Sequence, residues 1–296
     1  MSFSSLKKQS SLGSLTSKLV KEIEKTSTTR GGADERLWKP ELDKSGNGYA
    51  VIRFLPAPDG EDLPWAKVYS HAFQGPGGWY IENSLTTMGG KDPVSEYNRD
   101  LWNSGNDADK DVVRRQKRKL SYYANIYVVK DPVNPHNEGG VFLFKFGKKI
   151  FDKLTAAMQP EFEDETPINP FDFWQGANFK LKIRKVDGYW NYDKSEFDAP
   201  APLLDDDDAL EALWKKEYSV AEFTSQSNFK SYEDLERRLK SVLGQKQAQR
   251  PRFDEEVEVE DNTRAPVAAA APPVSTQATD GDEDDALSYF QKLANE

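Results

Sequence analysis

Residues 114–132 read RRQKRKLSYYANIYVVKDP, and this stretch decides the fold class. From Tyr122 the residues alternate, Tyr122, Ala124, Ile126 and Val128 against Tyr123, Asn125, Tyr127 and Val129, which is the period of a strand with two different faces. Just ahead stand five cations in six residues: Arg114, Arg115, Lys117, Arg118 and Lys119. Cations running into paired tyrosines offer charge for phosphates and ring faces for bases. A solvated basic face beside core tyrosines is the competing explanation of the same segment.

The strand texture recurs outward. YAVIRFLP (residues 49–56) follows the turn signal SGNG, VFLFKF (141–146) places Phe142, Phe144 and Phe146 on one face, and NFKLKIRKV (178–186) sets Phe179, Leu181 and Ile183 opposite Lys180, Lys182 and Arg184. KKIFDKLTAAM (148–158) has helical spacing at Ile150, Leu154 and Ala157. Short strands with one intervening helix predict a β-rich α+β fold built on a small Greek-key barrel of the OB type. After residue 200 the pattern turns helical. DDDDALEALWKKEY (205–218) opens with acids that favour a helix N-terminus, and SYEDLERRLKSVLG (231–244) runs from a Ser231 cap to Gly244. Both helices are expected to pack on the barrel.

Charge divides the chain into three. The net charge is −10, and residues 253–296 alone hold 12 acids against Arg264 and Lys292, which leaves 38 cations and 38 acids in residues 1–252. Residues 1–30 carry six cations and two acids, with Leu12, Leu15, Leu19 and Ile23 at helical spacing. A partner-binding arm, a disordered terminus and a targeting peptide compete there. The tail is rich in Ala, Pro, Glu and Asp until DEDDALSYFQKLANE (282–296), which presents Leu287, Phe290 and Leu293.

The composition points away from catalysis. There is no cysteine, so no disulfide, thiolate ligand or cysteine nucleophile, and only two histidines, His71 and His136. His71 with Asp92 and Glu96 nearby is a weak zinc set. The acidic runs Asp205–Asp208 and Asp282–Asp285 read as solvated helix starts or tail rather than a two-metal nuclease. No phosphate-binding glycine motif is present. With no apolar run approaching a membrane span, a soluble intracellular protein is expected.

Two further segments repeat the cation–aromatic arrangement. FKFGKK (144–149) joins Phe144 and Phe146 to Lys145, Lys148 and Lys149, and KIRKVDGYWNYDK (182–194) joins Arg184 and Lys185 to Tyr189, Trp190 and Tyr192 in a turn-like loop. Phe142, Phe144 and Phe146 serve either a barrel core or base contacts on this pattern.

The segments GNGYAVIRFLP, GGWYIE, KRKLSYYANIYVVKDP, NEGGVFLFKFGKKIFDK and GANFKLKI stand in family order between Trp38 and Leu243, and there the chain resembles the single-stranded DNA-binding proteins of T-even-type bacteriophages. The resemblance implies an OB-fold core over residues 31–252, with an inserted subdomain at about 71–102 and a DNA cleft between them. It implies that Lys117, Arg118, Lys119, Tyr122 and Tyr123 line the cleft. Phe144, Tyr189, Tyr192 and Trp102 would add aromatic wall; from the residue pattern itself Arg115, Lys145, Lys148 and Lys149 join them as candidate DNA-binding cations. It implies a self-associating arm at residues 1–30, represented by Lys7 and Lys8 in LKKQSS, and a tail at 253–296 that recruits phage replication, recombination and repair proteins.

The family's metal site uses a histidine and three cysteines. Here His71 remains, with Ser84, Asp92 and Ser95 near the thiolate positions. No zinc or other cofactor is therefore expected, and the insert would be held by Trp79, Tyr80, Ile81, Leu85 and Tyr97. The expected function is non-catalytic, cooperative, sequence-independent coating of single-stranded DNA, in the bacterial host cytoplasm during infection and without a membrane partner. The alternatives are a single-stranded RNA-binding protein using the same stacking surface, and a non-catalytic interaction scaffold.

Overall fold

Strand β5 (Lys119–Lys130) sits at the middle of the computed structural model, which describes residues 34–162, 164–186 and 189–245. One edge of β5 is shared. Its first half pairs antiparallel with β3 (Trp65–Gly75) and its second half with β2 (Gly48–Phe54), while β6 (Val141–Phe146) lies antiparallel along the other edge. β2 also pairs with β7 (Phe179–Val186), which pairs in turn with β8 (Tyr189–Asn191) and β9 (Glu196–Phe197). β1 (Leu37–Trp38) joins β6 in parallel, and β4 (Gly78–Asn83) folds back on the far half of β3. The helices among the described residues are α1 (Pro93–Asn103), α2 (Asp107–Gln116), α3 (Lys148–Met158), α4 (Asp207–Trp214) and α5 (Tyr232–Val242).

The strands and the α3, α4 and α5 segments expected from the sequence all form, giving a β-rich α+β fold. The main core is the strand period made visible: Ala50, Ile52 and Phe54 meet Tyr122, Ala124, Ile126 and Val128, then Phe144 and Phe146, then Phe179, Leu181 and Ile183. Ile150 and Leu154 of α3 close this face. Each such aliphatic or aromatic side chain contributes roughly 1.5–3 kcal/mol by leaving water. The opposite face is covered by α4, whose Leu210 packs with Leu55 and Phe173, while Trp214 Nε1 donates to the Ala57 carbonyl at 2.9 Å.

The two C-terminal helices part company. α4 packs on the main sheet as expected, but α5 docks on the insert, where Leu235, Leu239 and Val242 bury against Phe73, Tyr80 and Val94. Those three leucine and valine positions fall at i, i+4 and i+7, one face of a helix. Ser231 caps α5 by accepting from the Asp234 N–H at 3.2 Å, and Gly244 takes the left-handed φ of 71° just past its end. Gly77 lets the β3–β4 turn touch the helix end: its N–H donates to the Val242 carbonyl at 2.8 Å, and a Cβ there would lie 2.0 Å from the Ser241 carbonyl oxygen.

The segment expected as an insert, about residues 71–102, begins within β3, because that strand leaves β5 after Ser70 and continues with β4. Its packing differs from expectation at two positions. Tyr80 is buried and stacked on Phe73 with centroids 5.1 Å apart, and Leu85 and Tyr97 pack nearby, but Trp79 and Ile81 are exposed. Alternation along β4 turns Tyr80 inward and its two neighbours outward. The arm with Lys7 and Lys8, and the tail at 253–296, lie outside the described residues.

Candidate nucleic-acid interface

The basic run is cut by a change of secondary structure. Arg114 and Arg115 belong to the last turn of α2, opposite an acidic first turn at Asp107 and Asp109, so both ends complement the helix dipole. Arg114 also pairs with Asp111. Helix stability accounts for these two arginines without a ligand, though Arg115 remains exposed. α2 ends at Gln116, Lys117 turns extended, and β5 starts at Lys119.

Beyond that point alternate residues fall on opposite faces. Tyr122 points into the core, 6% exposed, with its ring 4.0 Å from Phe151 at 3° and 5.8 Å from Phe146 at 17°. Phe144 is 4% exposed among Trp38, Phe54 and Phe146. These two rings, expected on the cleft wall, are core residues: the strand period puts them on the apolar face, and their own neighbours cover them.

On the same face as Tyr122, register continues outward to a different aromatic. Lys67 sits opposite Tyr122 and Tyr69 opposite Leu120. Tyr69 is half-buried, with the Arg118 guanidinium 4.2 Å and Lys67 Nζ 5.1 Å from its ring centre. Neither Lys67 nor Tyr69 was picked out from the sequence. The alternation Trp65, Lys67, Tyr69 in WAKVYSH carries the signal, since it passes from a core aromatic to a cation and a second ring along one face.

The other face gathers Lys117, Lys119, Tyr123 and Lys145. Tyr123 is paired across the ladder with Lys145, whose Nζ lies 5.5 Å from the tyrosine ring centre, and the ring stacks on Phe223 at 4.1 Å and 12°. Burial lowers the Lys119 pKa, and repulsion from Lys117 and Lys145 lowers it further. An anion settling among these ammonium groups would relieve that crowding.

The Lys67–Tyr122–Phe146 rung runs into Gly147 and the start of α3. No acid stands in the first turn of this helix; Lys148 pairs with Asp152 at 3.1 Å, and Lys149 is exposed. Lys153 Nζ donates to the Asp193 carbonyl at 3.1 Å, tying α3 to the chain after β8. In the β7–β8 ladder Lys185 pairs with Trp190, with its Nζ 5.9 Å from the indole. Tyr189 is exposed; Tyr192 packs against the main core, where burial pushes its phenol pKa up. Trp102 is half-buried on α1, with Lys110 Nζ 6.0 Å from its ring. The structure thus joins Arg118 to Lys67 and Tyr69, and Lys117 and Lys119 to Lys145 and Tyr123. It holds Tyr189 and Trp102 on separate elements.

The four positions matched to a metal site do converge. His71 Nε2 lies 3.3 Å from Asp92 Oδ1, Ser84 Oγ donates to Asp92 Oδ2 at 2.9 Å, and the Ser95 N–H donates to Oδ1 at 3.0 Å. As a donor set for zinc they do not fit. One imidazole and one carboxylate are zinc ligands, but two serine hydroxyls are not thiolates, and both carboxylate oxygens already accept protein hydrogen bonds. Besides His71 Nε2, the buried polar atoms in and beside the insert that lack a hydrogen-bond partner, Ser95 Oγ, Tyr80 OH, Asn98 Oδ1 and Gln116 Oε1, are hydroxyl and amide oxygens.

Comparison with known proteins places this geometry in context. Residues 46–243 match the family model described as gp32 DNA binding protein like. The chain is 42% identical over 239 residues to a single-stranded DNA-binding protein of Enterobacteria phage T2, covering 77% of this chain and 78% of that one. It is 42% identical over 238 residues, with the same coverage, to the protein of that description from Enterobacteria phage T4. A shorter relative from Enterobacteria phage RB70 is 41% identical over 115 residues, 36% of this chain and 95% of that one.

Proposed function

Because the chain belongs to the gp32 DNA-binding-protein-like family, we propose that it binds single-stranded DNA without catalysis and without reading base sequence, on the face where Lys67, Tyr69 and Arg118 meet. The observation that carries this reading is the Tyr69 ring held beside two cations at the seam where β3 leaves β5. A ring for a base and cations for its flanking phosphates suit single strands, because a duplex hides its base faces. Lys117, Lys119 and Lys145 extend the positive charge across the strand, and Lys148 and Lys149 extend it along the rung to α3.

The sheet is read as an OB-type barrel on the support of its antiparallel β6–β5–β2–β7 ladder, with β3 joining β5 beside β2, and of α3 between β6 and β7. One such module covers about 4–16 nucleotides. Cooperative coating through residues 1–30 and recruitment of replication, recombination and repair proteins through residues 253–296 complete the proposal. The tail, net −10, would compete for the same cations until DNA displaces it. No helix among the described residues is long and apolar enough to cross a membrane. The setting proposed is the bacterial cytoplasm during phage infection.

The test is a titration of the purified full chain with oligo(dT), followed by intrinsic fluorescence at low and moderate salt, beside RNA of equal length. Quenching with salt-weakened affinity is expected. A folded sample that neither binds nor quenches at low salt overturns the proposal, and equal affinity for RNA redirects it to single strands in general.

A further inference from the structure

Asp92 is the most connected side chain of the insert, and it is 1% exposed. Its Oδ1 accepts the Val94 and Ser95 N–H groups at 3.1 and 3.0 Å, which caps α1. Its Oδ2 accepts Ser84 Oγ at 2.9 Å and the Leu85 N–H at 3.2 Å, which holds the 3-10 turn Leu85–Met88. Burial alone would push this carboxyl up, but His71, the Ser95 N–H and the Ser84 hydroxyl hold its pKa at about 2. One anion therefore ties together β3, the 3-10 turn and α1.

His71 carries the link onward. It is 1% exposed, and its Nδ1 lies 2.9 Å from the Gln116 carbonyl oxygen, which also accepts Asn98 Nδ2 at 3.3 Å. A carbonyl only accepts, so Nδ1 is the donor there, while Nε2 meets Asp92 Oδ1 in an ion-pair contact of 3.3 Å rather than a regular hydrogen bond, and that contact is what joins β3 to the carboxylate. Gln116 is the last residue of α2, directly before Lys117, Arg118 and Lys119. The ring that would supply a metal's nitrogen ligand spans instead from the Asp92 carboxylate to the backbone that launches the basic strand.

We infer that the insert is organised without a metal ion, by the buried Ser84–Asp92–His71–Gln116 chain, and that His71 and Asp92 are positioning residues that set where Lys117, Arg118 and Lys119 emerge. Zinc requires ligand atoms about 2.0–2.3 Å from a common centre. Here the Asp92 carboxylate is satisfied by N–H and O–H donors, with Ser84 Oγ 2.9 Å and His71 Nε2 3.3 Å from its oxygens and Ser95 reaching it through the backbone N–H. The positioning part rests on the single-stranded DNA reading above; the metal-free part does not.

The experiment measures bound metal per purified full-length chain by mass spectrometry, then hydrogen exchange of the α1 and α2 amides and oligo(dT) affinity before and after dialysis against a chelator. Less than about 0.1 metal per chain, unchanged exchange and affinity within twofold are expected. Stoichiometric metal, or faster exchange after chelation, overturns the metal-free insert whether or not DNA binds. For positioning, His71→Leu is expected to weaken oligo(dT) binding at least tenfold with a shallower salt dependence, and His71→Asn, which keeps a donor for the Gln116 carbonyl, to recover most of it. Equal affinity of folded His71→Leu and wild type overturns positioning. If His71→Leu does not fold, His71→Asn decides alone, since tenfold weaker binding by that folded variant rejects the role. A metal-free wild type with unchanged exchange but no oligo(dT) binding at all overturns both positioning and the DNA reading, and leaves the metal-free insert standing.

Discussion

Arg118 holds its guanidinium carbon 4.2 Å from the centre of the Tyr69 ring, across the seam between β5 and β3. Such a cation over a ring contributes about 0.5–1 kcal/mol at an exposed site, a few-fold bias toward the paired orientation before a ligand arrives. Tyr69→Ala should weaken oligo(dT) binding by about 1–3 kcal/mol, the scale of one lost base stack, with circular dichroism unchanged. Full affinity in a folded Tyr69→Ala variant would move the stacking surface elsewhere.

Tyr122 should behave in the opposite way. With Phe151 stacked 4.0 Å away, Tyr122→Ala removes a core ring and is expected to cost about 3–5 kcal/mol of stability in urea unfolding. Binding per folded molecule should change far less than in Tyr69→Ala.

The cations predict a salt signature. Removing Arg118 or Lys119 should each lower the slope of log affinity against log salt by about 0.7, the share of one phosphate contact on a single strand. Titrations at four salt concentrations suffice, and a slope equal to wild type excludes the contact for that residue.

Glu217 predicts a pH dependence. Burial, with a smaller push from Glu61, raises its carboxyl pKa to about 8, and neither carboxylate oxygen has a hydrogen-bond partner. An unfolded glutamate titrates near about 4.3. The folded state thus holds a proton that the unfolded chain releases, so the stability from this group is present below about pH 4 and is lost as pH rises through about 8. Glu217→Gln should flatten that fall and stabilise the protein at pH 8 to 9 by about 1–3 kcal/mol in thermal or urea unfolding.

Gly77→Ala tests the docking of α5. A Cβ 2.0 Å from the Ser241 carbonyl forces the β3–β4 turn and the helix apart, for an expected loss of about 1–3 kcal/mol. Hydrogen exchange should quicken in α5 and β4 before it does in β5 and β2.

Deleting residues 253–296 removes a net charge of −10 and should raise the association rate for oligo(dT) at low salt, with the gain shrinking as salt increases. Stopped-flow rates that match the full chain at every salt concentration would reject competition by the tail.

Where one face of an element meets one environment, its pattern was readable. The period-two runs at β5, β6 and β7 and the Ser231-to-Gly244 helix could be read residue by residue, and β2 as a short apolar run, which fits a strand buried on both faces. β3 was missed because its 11 residues serve two partners in succession, so WAKVYSHAFQG shows no single alternation. The polar helices α1 and α2 were missed too: few of their residues are apolar, and what fastens them, Val94 against α5 and Gln116 against His71, lies far away in the chain. Tyr69 went unnoticed for the same reason, since only the pairing of β3 with β5 sets it beside Arg118.

By itself the sequence determined that Tyr122 and Tyr123 face opposite ways, that the cations run into a strand, and that acid collects in residues 253–296, because alternation and composition are local properties of the chain. Only the tertiary structure decided which tyrosine is core, which aromatic meets the cations and how the insert is fastened. Those outcomes depend on which distant residues complete the packing, Phe151 over Tyr122, Phe223 over Tyr123, and Asp92 against His71.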